Sequence, residues 1–511
     1  MAACVPFCHH GKIPRYCQDQ NRMSLTRRRA ARFAALPLIA LLASACSTNP
    51  VTGDRQFTAL MPPEQEAAIG AQQHPEMLKE FGGRYEDAKL QAYVDDLGQR
   101  LAAKTEIPGT RYTFTVLDSP IINAFALPGG YVYVSRGLMA LANSEAELAG
   151  VVGHEIGHVT ARHSADRYGR GVLAQGGSLL AGLLLGQQAA QLAQSGSQLA
   201  LAGFGRGQEL QADGLGIRYM TAAGYDPQEM SGFLSSMGRH SQLEALLAGK
   251  PGQADQFSYL QTHPPTGERA QQASSAAAQA GGIGLKVGRN EYLRAIDGMI
   301  YGDSPAHGYV RGRVFAHPGL NIRFEVPEGF RLLNGDTAVV GVGPQGAQII
   351  FDQQPGQGAP TPQDYIARVW AANTSLGAIQ SLTIDGQPAA TVATRLNTNA
   401  GAMDARLVAI RAGANSFNRF LFVSPPALSG SLSAGFQTTA TSFRKLTAAE
   451  QSALKPYRLR VVQVKAGEKV ADFVKRMPYA DYPEERFRVL NNIPPGAEVQ
   501  AGQLIKIVTE G

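Results

Sequence analysis

The 511-residue chain has four cysteines, and all of them lie at or before residue 46. The body that follows therefore has no disulfide and no cysteine nucleophile, a usage that suits an oxidising envelope compartment. Charged residues make up 17% of the chain, below the roughly 25% of an average soluble protein, which excludes a charge-rich disordered polymer. Net charge is missing from the body as well. Residues 1–45 carry seven basic side chains and one acidic one, and the remainder has forty of each sign. The formal +6 thus sits in the first 45 residues, and the body offers no electrostatic case for nucleic acid. Long apolar runs are also scarce. Residues 171–205 hold no charge, but Gln187, Gln188, Gln191 and Gln194 interrupt them well short of the ~18 apolar residues a membrane span needs. A mobile or partly helical flap is expected there, with contact to a membrane surface or an unfolded substrate as the other reading. There is no 34-residue helical repeat.

The first 46 residues read as a leader. Arg27, Arg28, Arg29 and Arg32 precede a mostly apolar run over 33–45, and the small residues Ala43, Ser44 and Ala45 precede Cys46. This resembles a bacterial lipoprotein signal, which implies lipidation at Cys46; the plain alternative is cleavage and release. Ser47 at the next position resembles the outer-membrane sorting pattern. The leader begins naturally at Met23, so residues 1–22 are expected to be a spurious extension, and the spacing of Cys4, Cys8, His9, His10 and Cys17 fits no zinc pattern.

At ~150 residues per domain, the length suggests about three domains. Residues 46–61 read as a polar tether and 62–304 as a mainly helical domain with a small sheet. Residues 86–104 show helical spacing of Leu90, Tyr93, Val94, Leu97 and Leu101. Residues 112–117 alternate like a strand, and 123–134 read as a strand pair broken at Gly129-Gly130. Ser144 with Glu147 marks a capping box, opening a helix over 145–162. Helix resumes over 207–223, and residues 227–300 are mostly helical. Residues 305–450 change texture to short apolar runs, at 321–326, 337–342, 347–351, 389–395, 406–411 and 417–423, with one helix near 362–370. A third unit, 457–509, reads strand–helix–helix–strand. The fold class is α+β multidomain.

The chemistry lies in His154-Glu155-Ile156-Gly157-His158. Four-residue spacing puts both imidazoles on one helix face, where they can bind one zinc ion. Glu155, next to His154, can take the proton of a water that the metal acidifies and later deliver it to a leaving amine. A third ligand is required. The position six residues after His158 holds Ser164, and His163 falls one short of it. Glu209, opening the next charged helix, is the better candidate. Asp213, one turn on, would accept a hydrogen bond from a zinc-bound histidine and fix its tautomer. Without the HExxH, Glu209 and Asp213 would pass for a solvated helix face.

Three segments, VVGHEIGHVTARH, ELQAD and THPPTGER, resemble the HtpX/prenyl-protease family of zinc metallopeptidases, in its periplasmic, BepA-like and Oma1-like branch. The resemblance covers roughly residues 50–280. It implies a zincin-type (gluzincin) domain with His154, His158 and Glu209 as zinc ligands and Glu155 as catalytic base. It further implies that His263 either stabilises the oxyanion or occupies the fourth position on zinc as a latch, with Arg269 steadying that loop. From spacing alone, His263 before two prolines is an ordinary loop histidine, and His74 and His240 carry no signal. Asn123, Ala124 and Phe125 resemble the family's edge strand, onto which an extended peptide substrate would add. The transmembrane spans of some relatives and the helical-repeat tail of others are missing here.

Residues 457–509 resemble a LysM domain, which implies binding to peptidoglycan; the 478–483 insertion departs from that pattern, and a purely structural role stands beside it. Residues 310–445 vaguely resemble the Mog1/PsbP-like fold. The expected function is a zinc metalloendopeptidase of the bacterial envelope, an outer-membrane lipoprotein in the periplasm. Its partners would be misfolded or unassembled envelope proteins, the membrane through a lipid anchor, and peptidoglycan. The alternative is a non-catalytic, chaperone-like or glycan-binding adaptor with a latched metal site.

Overall fold

A computed structural model describes residues 47–58, 61–107, 109–174, 204–250, 263, 267–281, 284–335, 337–398 and 401–511. Cys46, the leader and most of the uncharged 171–205 stretch lie outside them. Among the described residues no helix is long and apolar enough to cross a membrane.

The segment expected as a tether is docked instead. Strands β1 (Ser47–Thr48) and β2 (Arg55–Gln56) form an antiparallel hairpin. The buried amides of Asn49 and Gln56 donate to the carbonyls of Thr160 and Ala161, where the HExxH helix ends and its last carbonyls need partners.

Helix α1 (Pro63–Glu80) begins with proline, whose missing N–H costs nothing at that position. Helix α2 (Ala88–Ala102) starts at Asp87, whose carboxylate accepts from the N–H groups of Lys89 and Leu90. Next come β3 (Thr113–Leu117), β4 (Ala124–Leu127) and β5 (Tyr131–Ser135). β5 is central, parallel to β3 and antiparallel to β4. Gly129 (φ 82°) and Gly130 (φ 88°) supply the left-handed turn between β4 and β5 that side chains disfavour. β4 is an edge. Its side chains alternate between two faces: Ala124 and Ala126 enter the main core, while Phe125 and Leu127 join Met77 of α1. The small sheet is therefore covered on both sides.

Helix α3 (Arg136–Leu141) leads to α4 (Glu145–Thr160), which carries HExxH. Ser144 Oγ accepts from Glu147 N at 3.0 Å, as the capping box requires. The return limb is displaced by one residue. Glu147 accepts from Asn143 N at 2.7 Å, and the Ser144 hydroxyl donates to Glu229. After α5 (His163–Ala174) come α6 (Arg206–Ala222), α7 (Gln228–Leu247), α8 (Gly267–Ala280) and α9 (Arg289–Ile296).

α4 and α6 cross at glycines. A methyl group on Gly216 would lie 2.8 Å from the backbone nitrogen of His154 and 3.1 Å from the carbonyl carbon of Gly153. This near-backbone contact lets the short carboxylates of α6 reach the imidazoles of α4. Gly216→Ala is expected to force the helices apart, costing ~1–3 kcal/mol and lowering zinc content, checked by thermal unfolding and metal analysis.

The β-rich region follows a short strand, β6 (Ile300–Tyr301). β7 (Tyr309–Arg311), β8 (Val314–His317) and β9 (Ile322–Glu325) form one antiparallel sheet. A second sheet has seven strands in the order β10-β11-β12-β16-β15-β14-β13. These are β10 (Arg331–Asn334), β11 (Val339–Val342), β12 (Gln348–Pro355), β13 (Gln380–Ile384), β14 (Gln387–Thr398), β15 (Gly401–Gly413) and β16 (Ser416–Ser424). Helix α10 (Pro362–Tyr365) runs on as a π-turn over Ile366–Trp370. The sequence reading placed a single helix among these strands. The structure adds a second, α11 (Ser429–Ser442), whose Phe436 packs on Phe330 and Phe422.

Helix α12 (Ala448–Ala453) leads to the strand–helix–helix–strand unit: β17 (Tyr457–Gln463), α13 (Val470–Val474), α14 (Pro483–Asn491) and β18 (Leu504–Glu510). β17 pairs with β18 and also with β6. Leu459, Phe473, Phe487, Ile505 and Val508 share one continuous apolar core with Val94, Leu97 and Tyr292. The fully buried ammonium of Lys506 donates to the carbonyls of Ala140 and Ala142, both at 2.7 Å, at the C-terminal end of α3. The molecule is thus multidomain, with a helical N-terminal region and a β-rich region after it.

Candidate metal centre

His154, His158, Glu209 and His263 converge, with one donor atom from each lying within 4.8 Å of the others. All four are buried. His154 Nε2 and His158 Nε2 are 3.0 Å apart, one turn from each other on α4. Glu209, from the first turn of α6, brings its carboxylate 3.5 Å from His158 and 3.6 Å from His154. His263 Nδ1 stands 3.3 Å from His154 Nε2 and 3.0 Å from Glu209 Oε1. Three nitrogens and one carboxylate brought this close could together hold one metal ion, and nitrogen-rich sets of this kind suit zinc.

At two of the four donors the charge balance fits the same reading; at His154 it runs the other way, where against the pull of burial Asp213 holds the imidazole above its usual value. Burial would raise the Glu209 carboxyl, but the facing histidines, His263 foremost, hold it well below the usual carboxylate range. Burial pushes the His158 imidazole well down. An ionised carboxylate and a neutral imidazole are the forms a metal binds.

Glu155 lies beside this group and has a different environment. It is fully buried, and neither carboxylate oxygen has a hydrogen-bond partner among the described residues. His263 Nε2 lies 3.7 Å from its Oε1. Burial pushes the Glu155 carboxyl up. A buried carboxyl without partners is costly to keep and points to a missing water or ion.

The supporting residues fall into two arms. Asp213 accepts from His154 Nδ1 at 2.8 Å. Arg269 grips Asp213 with Nε at 2.8 Å and Nη2 at 2.7 Å, and its Nη1 lies 2.8 Å from Glu209. Against the pull of burial, Arg269 and His154 hold Asp213 below the usual range. Arg269 Nη1 also donates to the His263 carbonyl at 3.3 Å, tying the residue-263 backbone to α8. On the other arm, His158 Nδ1 is 2.8 Å from His163 Nδ1. The sequence reading weighed His163 only as a ligand that fell one residue short. Five residues on a continuous helix would leave the two imidazoles about 140° apart; the left-handed turn at Arg162 (φ 54°), between α4 and α5, brings His163 back beside His158. Phe204 stacks on His158 with ring centroids 3.9 Å apart.

The edge strand lies next to α4. Ala126, Leu127, Pro128 and Gly129 line a small cleft together with His158, Val159 and Arg162. Asn123, Ala124 and Phe125 sit earlier on the strand. Asn123 N bonds the Ser135 hydroxyl, and the Phe125 ring stacks on Tyr133. His74 bonds the Tyr133 hydroxyl, away from the four ligands.

Residues 88–277 match the model of Peptidase family M48. Over these residues the chain is similar to that family. The same region aligns with a putative beta-barrel assembly-enhancing protease of Vibrio cholerae, 34% identical over 35% of this chain and 36% of the relative. The beta-barrel assembly-enhancing protease of Yersinia pestis is 30% identical over 47% of this chain and 53% of the relative. Mitochondrial metalloendopeptidase OMA1 of Arabidopsis thaliana is 33% identical over 34% of this chain and 33% of that protein. The chain thus spans between about a third and about half of these relatives. Among solved structures, the chain is similar to PsbP of Synechocystis, 12% identical over 28% of this chain and 98% of that one, at a TM-score of 0.22. The corresponding values for Saccharomyces cerevisiae Mog1p are 14%, 28%, 98% and 0.20. Scores of that size fix no fold for the β-rich region.

Proposed function

We propose that the M48 domain is a zinc-dependent endopeptidase of the bacterial cell envelope that hydrolyses misfolded or unassembled envelope proteins. The observation that carries this reading is the buried cluster of His154, His158, Glu209 and His263 with the unpartnered carboxyl of Glu155 beside it. His154, His158 and Glu209 would hold the zinc, with Asp213 fixing the tautomer of His154. Bound there, zinc supplies Lewis acidity that brings the pKa of water near 7.

Glu155 accepts the proton of the attacking water and returns it to the leaving amine. The free edge of β4 would pair with an extended peptide, so that residues 123–129 present the scissile bond to Glu155. His263 fills the fourth position among the donors and lies near Glu155, which supports a latch that must move before substrate enters. Arg269, bonded to the His263 carbonyl, would set the position of that latch. Lipidation at Cys46 would hold the enzyme on the periplasmic side of the outer membrane. The 457–509 unit would act through packing on the M48 core, with peptidoglycan contact as a further role.

The test is cleavage of an unfolded model protein by the full chain with zinc. Chelator-sensitive cleavage supports the proposal. Binding of the unfolded protein without cleavage, in both the wild type and His263→Ala, would instead favour the chaperone-like adaptor.

A further inference from the structure

The two zinc-facing imidazoles are held by unlike partners. His154 has a carboxylate behind it, which can only accept, so its Nδ1 carries a proton. His158 has another imidazole behind it, and an imidazole nitrogen can donate or accept. Nothing in the His158–His163 contact itself says which nitrogen holds the proton.

The direction is set further out. His163 Nε2 lies 2.8 Å from Gln211 Oε1. The amide group of Gln211 could be reversed, but its nitrogen donates to the Asp54 carboxylate. A reversed amide would set its oxygen against an oxygen that cannot donate. Asp54 therefore fixes the Gln211 oxygen towards His163, and His163 Nε2 must carry a proton to meet it. If His163 Nδ1 were also protonated, His158 would have to accept at Nδ1 and carry its own proton on Nε2, facing Glu209. That arrangement blocks the metal. In the metal-competent arrangement His163 Nδ1 is bare, His158 Nδ1 carries the proton, and the His158 Nε2 lone pair faces the cluster.

We infer that Asp54, Gln211 and His163 form a hydrogen-bond relay that sets the metal-binding tautomer of His158, making the N-terminal hairpin a working part of the zinc site. The relay crosses three elements: the β1–β2 hairpin, the start of α5 and the second turn of α6. The hairpin is fastened independently. Asn49 and Gln56 bond the end of α4, and Phe57 N bonds Asp166 at 3.0 Å. Removing the Asp54 carboxylate therefore leaves the hairpin docked while releasing the orientation of the Gln211 amide. His163 and Gln211 are positioning residues that act through His158.

The inference rests on the zinc-site reading given above, and its test separates the two. Full-length wild type, Asp54→Ala, Gln211→Ala and His163→Ala would be compared for zinc affinity by chelator competition. The tautomer of His158 would be read from imidazole nitrogen shifts in long-range 15N–1H spectra of the zinc-free protein. Wild type is expected to show His158 protonated at Nδ1. His163→Ala should lose about 10–100-fold in zinc affinity, the range for outer partners of metal ligands. Asp54→Ala and Gln211→Ala should lose less and give mixed His158 tautomers. His163→Gln, whose amide oxygen can accept from His158 Nδ1, should recover part of the loss. Asp54 is exposed, so its variant folds even if a buried replacement does not. Wild-type affinity and an unchanged His158 tautomer in Asp54→Ala would overturn the relay while leaving the zinc site standing. A wild type that binds no zinc would overturn both.

Discussion

Glu155→Gln should retain one zinc per chain and lose about 10^2–10^4 in kcat, the range for removing a positioned general base. The substitution replaces one carboxylate oxygen by an amide of equal size. No protein hydrogen bond is lost, because the Glu155 oxygens have none among the described residues. The ligands of α4 and α6 are untouched, so stability and metal content should hold while turnover collapses. Parallel turnover and metal assays on the purified variant check this. Chelator-sensitive activity near the wild-type level would mean that another group moves the proton. His263→Ala is the informative partner. If His263 acts as a latch, its removal raises cleavage of an unfolded protein; if it stabilises the oxyanion, removal lowers kcat with KM little changed.

The second large effect is on stability. A ligand that binds only the folded chain stabilises it by RT ln(1 + [L]/Kd), which is about 4 kcal/mol at a thousandfold excess over Kd. Chelation should therefore lower the unfolding transition markedly and return two buried carboxyls and three imidazoles to a site without their counter-ion. The sign is fixed by the burial of Glu155 and Glu209, which can leave their water only when something replaces it. His158→Ala should show no zinc-dependent shift at all. Calorimetry of both proteins with zinc and with chelator checks this, and a His158→Ala transition that still rises with zinc would place the ion elsewhere.

Much of the centre was legible because its logic is local. HExxH spacing fixes a helix face, Ser144 fixes a helix start, and Gly129-Gly130 fixes the strand break. Where the reading failed, tertiary contacts outweighed local signals. α11 is rich in Ser, Thr and Gly, a poor helix composition, and it is held by Phe436 and Ala440 against the seven-stranded sheet. β7, β8, β10 and β13 are three to five residues long, too short for period-two alternation to stand out. The hairpin over 47–58 reads as a tether because its polar residues give no hydrophobic pattern; buried amides dock it, with Val51 packed on the main core and Phe57 buried. The contact between His163 and His158 has no such local signal, because the turn at Arg162 rather than sequence spacing makes it.

The closing strand of the C-terminal unit has a consequence for how the protein is made. The main core includes side chains from Tyr85 to Val508, and Lys506 plugs the end of α3, which leads into the HExxH helix. The two ends of that core are separated by more of the chain than the whole M48 match, so its final packing waits on a distant loop closure. A ribosome delivers HExxH long before it delivers Lys506. A chain still in synthesis thus carries the HExxH helix while its supporting core is incomplete, until β18 arrives. Synthesis order alone keeps the cluster of His154, His158 and Glu209 unfinished during the interval when the rest of the chain is unfolded.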